Sequence, residues 1–141
     1  KKFGATHTIN SQKENLEIAV NKIIQEKSLD VFIDNTGVPA IIEKGYELTH
    51  SKGRVILVGV PPKHSNIKIY SLPLHFGKII LGSHGGECNP DLDIPRYMKL
   101  LINKRISFEG LVTSRYALDD INIAIKTMRS GSSSGRILID L

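Results

Sequence analysis

Three short stretches set glycine and small polar residues at the ends of apolar, β-branched runs. They are Asn35-Thr36-Gly37 after LDVFID, Val58-Gly59-Val60 after GRVIL, and Gly82-Ser83-His84 at the end of KIILGSH. In an open parallel sheet, ligands lie outside the carboxyl ends of the strands, so these are the places where a cofactor would sit. Glycine there lets backbone approach a ligand closely, and apolar walls with backbone polar groups suit a flat ring. Each stretch also has a plainer reading. Asn-Thr-Gly makes a helix-entry turn, and Val58-Gly59-Val60 is equally a buried strand end before the stiff Pro61-Pro62 pair. A lone histidine in a glycine turn, such as His84, is more often a surface group than a catalyst. Arg136 follows a glycine and opens the last strand, where an exposed arginine needs no function.

The remaining reactive residues carry less. Cys88 has no base beside it in sequence and reads as a packing or surface residue. Glu87, Asp91 and Asp93 are simplest as caps of the helix that follows. A single cysteine excludes an internal disulfide, and also excludes a thiolate zinc site built from this chain alone. The net charge of +5 is spread from Lys1 to Arg136 among acids, without a basic stripe bearing aromatics, so no nucleic-acid partner is expected. No apolar run reaches the roughly 20 residues of a membrane span, and KKFGATHTIN lacks the core of a signal peptide. A cytoplasmic protein with no membrane partner is expected.

The elements that must position these residues alternate. The run over residues 53–62, GRVILVGVPP, reads as a parallel strand buried on both faces. Before it, residues 6–10 read as a short strand, and Asn10-Ser11 as caps of a helix over residues 13–27 with an apolar stripe at Leu16, Ala19, Val20, Ile23 and Ile24. Residues 29–34 form a second strand, and Pro39 suits the first turn of a helix over residues 39–49. After a polar loop come a short extended piece at residues 67–70, one helical turn in Leu-Pro-Leu-His-Phe, and a fourth strand at residues 78–83. Such alternation indicates βαβ units.

The rhythm changes after Gly86. A helix runs to about Lys104 with Ile94, Tyr97, Leu100 and Leu101 inward, and residues 111–117 are extended. Asp119-Asp120 caps an amphipathic helix bearing Ile121, Ile125 and Met128. The loop GSSSG, whose composition implies mobility, precedes a strand over residues 136–141. The opening KKFGA looks like the end of a helix rather than a natural start.

Taken in order, FGATHTIN, DNTG, GRVILVGVPP, GSHGG, DIPRY and LDDINIAIKTMRSGSSSGRILIDL resemble the carboxyl-terminal half of the medium-chain, zinc-containing alcohol dehydrogenases. The resemblance covers essentially the whole chain. It implies an α/β fold. Residues 1–85 are an incomplete Rossmann-type dinucleotide-binding domain, lacking its first strands and Gly-rich turn; residues 86–141 are the closing α+β segment of the catalytic domain. The glycine fingerprint for the pyrophosphate, the acidic ribose-binding residue and the zinc ligands of the family have no counterpart here, so the chain is expected to be a fragment and inactive alone.

The resemblance also implies roles. Asn35, Thr36 and Gly37 lie against the adenosine and nicotinamide ends of NAD or NADP. The Val58 carbonyl accepts from the carboxamide, Gly59 accompanies it and Val60 packs on the ring. Gly82, Ser83 and His84 complete the carboxamide contacts through backbone, and Arg136 reaches the pyrophosphate. Zinc belongs to the parent enzyme, with no ligands in this chain, and the substrate is a small-molecule alcohol or aldehyde. A zinc-independent quinone- or enoyl-type reductase and a non-catalytic nucleotide-binding or assembly module are the alternatives. A homodimer is expected through the edge region between Ile67 and Leu81, involving Ile69, Leu72 and Leu74.

Overall fold

In the computed structural model, which describes residues 3–25 and 27–141, Asn15 sets the start of α1 (Leu16–Ile24) by accepting a hydrogen bond from Ile18 N at 3.1 Å. The expected cap at Asn10 does something else. Its side chain accepts from Gln12 N, and its carbonyl accepts from Lys13 N and Glu14 N, so the segment folds into a turn and the helix begins later than residue 13. Residues 6–10 form no strand; an extended segment without a neighbour leaves its backbone groups to water. The readings of Lys1 and Lys2 as a helix end and of Glu26 as helical lie outside the described residues.

The chain falls into two units that divide after Cys88, each with its own sheet. In the first unit β1 (Leu29–Asp34) follows α1, and α2 (Pro39–Leu48) starts on proline, whose fixed φ suits a first helical turn. β2 (Thr49–Leu57) begins on the residue after α2, earlier than expected, and β3 (Ile79–Gly82) completes a parallel sheet in the order β1-β2-β3. Thr49 makes that corner possible by donating its hydroxyl to Gly45 O at 2.7 Å.

The register puts Phe32, Val55 and Ile80 in one row, and Ile33, Ile56 and Leu81 in the next. Because side chains alternate along a strand, these rows lie on opposite faces. α2 covers the first face closely. A Cβ at Gly45 would stand 2.2 Å from the Phe32 ring, and Val55 is completely buried. The second face is open, with Ile33 59% and Leu81 42% exposed. The run at 53–62 is therefore covered on one face only. It also leaves the strand at Leu57, since Val58 N and Gly59 N both donate to Asp34 O and turn the chain away from the ladder.

Residues 67–70 stay outside the sheet and are tied along α2. Lys68 N donates to Glu43 Oε1 at 2.7 Å, and the Tyr46 hydroxyl donates to Tyr70 O at 2.9 Å. The expected helical turn is a 3-10 turn over Leu72–Phe76. Lys78, just after it, is buried. Its Nζ donates to Tyr46 O and Thr49 O at 2.5 and 2.6 Å and stands 3.9 Å above the Tyr46 ring. These carbonyls lie where α2 runs out of intrahelical donors, so a cation there answers both the unpaired groups and the helix dipole.

In the second unit, Asn89 caps α3 (Pro90–Ile102) by accepting from Asp91 N, and its own N–H donates to Asp93 Oδ2. Both acids thus belong to the helix start. Ile94 and Tyr97, expected inward, are 59% and 46% exposed, while Leu100 and Leu101 are half-buried. β4 (Val112–Ala117) pairs in parallel with β5 (Arg136–Asp140), joined through α4 (Ile121–Arg129). Asp119 and Asp120 form a 3-10 turn with Leu118, and the Asp120 side chain makes no capping bond. α4 buries Ala124, and with Ile137 and Ile139 of β5 it lines an apolar cleft of about 200 Å³. The Gly-Ser loop is tied by the Ser130 hydroxyl to Thr127 O, and by the Thr113 hydroxyl to Ser134 O.

Candidate functional site

The in-register row Asp34, Leu57 and Gly82 ends the three strands of the first sheet together. The stretches at 35–37, 58–60 and 82–84 all leave from this row, so nine of the ten expected site residues share one rim. Parallel pairing does the positioning. Val58 N donates to Asp34 O at 2.8 Å and Ser83 N donates to Leu57 O at 2.8 Å, so the last carbonyl of one strand fixes where the neighbouring stretch departs.

At the centre of the rim two backbones cross in contact. A Cβ on Gly59 would lie 2.2 Å from Gly37 N and 2.5 Å from Thr36 N; one on Gly37, whose φ is +69°, would lie 2.6 Å from the Val60 carbonyl carbon. Only glycine meets both demands. Around the crossing, Val38 and Val58 are 44% and 45% exposed and Val60 is 89% exposed. Three branched apolar side chains therefore face solvent beside bare backbone, an arrangement suited to one face of a flat, mostly apolar ring.

Asp34 was not among the residues expected at the site, yet it organises this rim. It is 1% exposed. Its Oδ1 accepts from Thr36 N at 3.0 Å and from the Thr36 hydroxyl at 2.6 Å, and its Oδ2 accepts from Gly37 N at 2.9 Å. Burial by itself raises the pKa of such a carboxyl, but the Thr36 hydroxyl and the Gly37 and Thr36 N–H groups outweigh it and hold Asp34 below its ordinary value. The carboxylate thus supports the turn throughout neutral pH, and its contribution is lost only as pH falls through that lowered value. The sequence signal was an acid ending an apolar strand just before Asn-Thr-Gly, where an Asx-type turn needs an acceptor.

The third turn is looser. Ser83 Oγ accepts from Gly86 N at 3.1 Å, His84 is exposed, and a Cβ at Gly82 would meet nothing within 4 Å. Arg136 belongs to the second unit. There it opens β5, exposed, with its N–H donating to Leu111 O at 2.7 Å, after Gly135, where a Cβ would meet that same oxygen. Among the described residues, no three of His, Cys, Asp and Glu come together so as to hold a metal ion, so these side chains do not fit a zinc site. Nor, among them, is any helix long and apolar enough to cross a membrane.

Known proteins match this arrangement. The family described as zinc-binding dehydrogenase matches residues 1–116. L-threonine 3-dehydrogenase of Escherichia fergusonii is 27% identical over 139 residues, which are 99% of this chain and 39% of that one. The crystal structure of benzyl alcohol dehydrogenase from Acinetobacter calcoaceticus superposes with a TM-score of 0.80 at 31% identity, covering 91% of this chain and 35% of that one. A zinc-binding dehydrogenase of Sinorhizobium meliloti bound to NADP shares the fold, with a TM-score of 0.72 at 22% identity over 99% of this chain and 40% of that one. This chain therefore spans about two fifths of the length of the relatives it matches. From the parallel sheet, its rim and the family match over residues 1–116, the chain belongs to the zinc-binding dehydrogenase family.

Proposed function

We propose that this chain supplies the nicotinamide-facing rim of a dinucleotide site in an NAD(P)-dependent dehydrogenase of the alcohol dehydrogenase type. The observation that carries this reading is the Gly37–Gly59 crossing with exposed Val38, Val58 and Val60 around it. The cofactor, when bound, provides the ring that exchanges a hydride with the carbinol carbon of an alcohol. The residues of this chain hold that ring. Val60 and Val58 pack on its face, the backbone at Val58, Gly82 and His84 bonds the carboxamide, and Thr36 and Gly37 border the dinucleotide. Packing a ring on an apolar wall excludes water from one side and fixes which face meets the substrate.

Arg136 is assigned to the pyrophosphate from guanidinium chemistry and the family resemblance. The pyrophosphate turn and the zinc ligands come from parts of the parent enzyme that correspond to the remaining length of the relatives. The 141-residue chain by itself is accordingly expected to oxidise no alcohol.

The test is an amide-resolved NMR titration of the chain with NADH, and in parallel with ADP-ribose, which lacks nicotinamide. Shifts at residues 58–60 and 82–84 are expected with NADH and not with ADP-ribose, and shifts at residues 35–37 with both. No rim response to millimolar NADH would overturn the assignment.

The homodimer is proposed through β3, an edge of its sheet, where Ile79 and Leu81 are each 42% exposed and Leu72 is 48% exposed. An exposed apolar edge strand is a ready template for pairing. Sedimentation of Ile79→Lys should give a monomer where the unaltered chain gives a dimer; a dimer that persists in the variant excludes this edge.

A further inference from the structure

We propose that Asp34 is the positioning residue of the rim, setting two of its three turns at once. Its carboxylate holds residues 35–37 and its main-chain carbonyl holds residues 58–59. The inference rests on the reading of the rim as a cofactor site, and adds to it the residue that gives the rim its shape.

The geometry separates the two functions of this one residue. On the side-chain side, three donors converge on two carboxylate oxygens: Thr36 N, the Thr36 hydroxyl and Gly37 N, at 3.0, 2.6 and 2.9 Å. These bonds fold the chain back over the strand end, bringing Gly37 N and Thr36 N against Gly59. The Thr36 hydroxyl, having donated to Asp34, accepts from Val38 N at 3.1 Å, which carries the same constraint into the start of α2. On the main-chain side, Asp34 O takes both Val58 N and Gly59 N, at 2.8 and 3.0 Å. Two successive N–H groups on one carbonyl end the β2 ladder and aim Val60 into solvent.

A carboxylate suits this place better than any neutral residue of its size. All three of its partners are donors, and only an ionised carboxyl offers acceptors in every direction without presenting a donor of its own. An asparagine would have to turn its amino group toward either Thr36 or Gly37, opposing an N–H with an N–H. Because the group is buried, water cannot substitute for the lost partner.

The proposal is tested on the full chain with Asp34→Asn, Asp34→Glu and Thr36→Val, followed by amide hydrogen exchange at neutral pH. In Asp34→Asn, exchange at Gly37 should rise by at least about tenfold, with Val58 and Gly59 rising alongside it, while the amides of Phe32 and Val55, away from the rim, keep their protection. Asp34→Glu, which retains the carboxylate, should restore part of the protection at Gly37, and Thr36→Val should loosen residues 36–38 alone. NADH-induced shifts at Val58 and Val60 should weaken in Asp34→Asn in step with the loss of protection.

Protection at Gly37 unchanged in Asp34→Asn would overturn the proposal. So would loosening confined to residues 35–37, or loss of protection spread evenly over the sheet, which would mark a general stabilising residue. An unaltered chain that ignores NADH would remove the cofactor reading, while the exchange pattern would still decide whether Asp34 sets both turns.

Discussion

Gly59→Ala should destabilise the first unit by about 3 kcal/mol, in the upper range for overpacking, and should abolish the response of the rim to NADH. The methyl group would arrive 2.2 Å from Gly37 N, 2.5 Å from Thr36 N and 2.7 Å from the Asn35 carbonyl carbon. All three obstacles are main-chain atoms. A flexible side chain could swing aside, but residues 35–37 are pinned by the Asp34 carboxylate and Gly59 is pinned to the Asp34 carbonyl. Relief therefore requires breaking one set of bonds or the other. Gly82→Ala is the matched control, since nothing stands within 4 Å of the new atom and no left-handed φ is involved. It should change stability by no more than about 0.5 kcal/mol, the usual range for an unobstructed surface site. Yet it should weaken NADH binding if a carboxamide approaches the backbone there. Urea unfolding of the three proteins measures the first effect, and equal midpoints for Gly59→Ala and the unaltered chain would refute it.

Lys78→Met should cost about 3 kcal/mol, mostly by leaving two buried carbonyls without a donor at roughly 1–3 kcal/mol each. Methionine fills similar space, so the loss reports the bonds to Tyr46 O and Thr49 O and the contact with the Tyr46 ring, rather than a cavity. The offsetting gain is that a cation no longer has to be buried. Burial lowers the pKa of Lys78 from the usual lysine value of 10.5, so between that lowered value and 10.5 the unfolded chain binds more protons than the folded one. Stability of the unaltered protein should accordingly rise with pH through this window, and the slope should vanish in Lys78→Met. Chemical unfolding at several alkaline pH values checks both. A variant as stable as the parent would mean that the end of α2 needs no cation.

Much of the frame was legible because the strands are short apolar runs closed by strong punctuation. Asp34-Asn35-Thr36-Gly37 and Pro39 fix the end of β1 and the start of α2, and the structure follows them to the residue. Legibility failed where the deciding partner is distant in sequence or depends on what lies alongside. Residues 6–10 have the composition of a strand, but a strand exists only with a neighbour. Ile94 and Tyr97 recur at helical spacing, but periodicity says which side of α3 is apolar and not whether anything covers it. The continuous apolar run at 53–62 reads as covered on both faces for the same reason, whereas the row of Ile33, Ile56 and Leu81 lies on the open face.

The candidate site shows the same division. Nine of the expected residues fall together because they were chosen at strand ends, a rule that needs only strand boundaries. Asp34 was missed because it reads as the last residue of a strand, and an acid there is ordinary. Its importance comes from three donors that turn back on it within the next three residues, a local pattern that Asp followed by Asn-Thr-Gly does encode. Lys78 was not foreseen in its role at all. Nothing in KIILGS announces that its first side chain closes the end of a helix some 30 residues earlier, with bonds spanning 32 and 29 positions.

The join between α2 and β2 has a kinetic consequence. α2 ends at Leu48 and β2 begins at Thr49, while only residues 35–38 separate β1 from α2. The whole βαβ segment from Leu29 to Leu57 is thus nearly free of connecting chain, and closing it costs little loop entropy. β3 is different, since residues 58–78 must be threaded before its ladder forms. Chain topology therefore favours a folding nucleus that already contains Asp34 and Gly37 and sets Leu57 beside Asp34, with the strand leading to Gly82 added afterwards. The turn at residues 35–37 would form with that nucleus, and the turn at residues 82–84 only once β3 has docked.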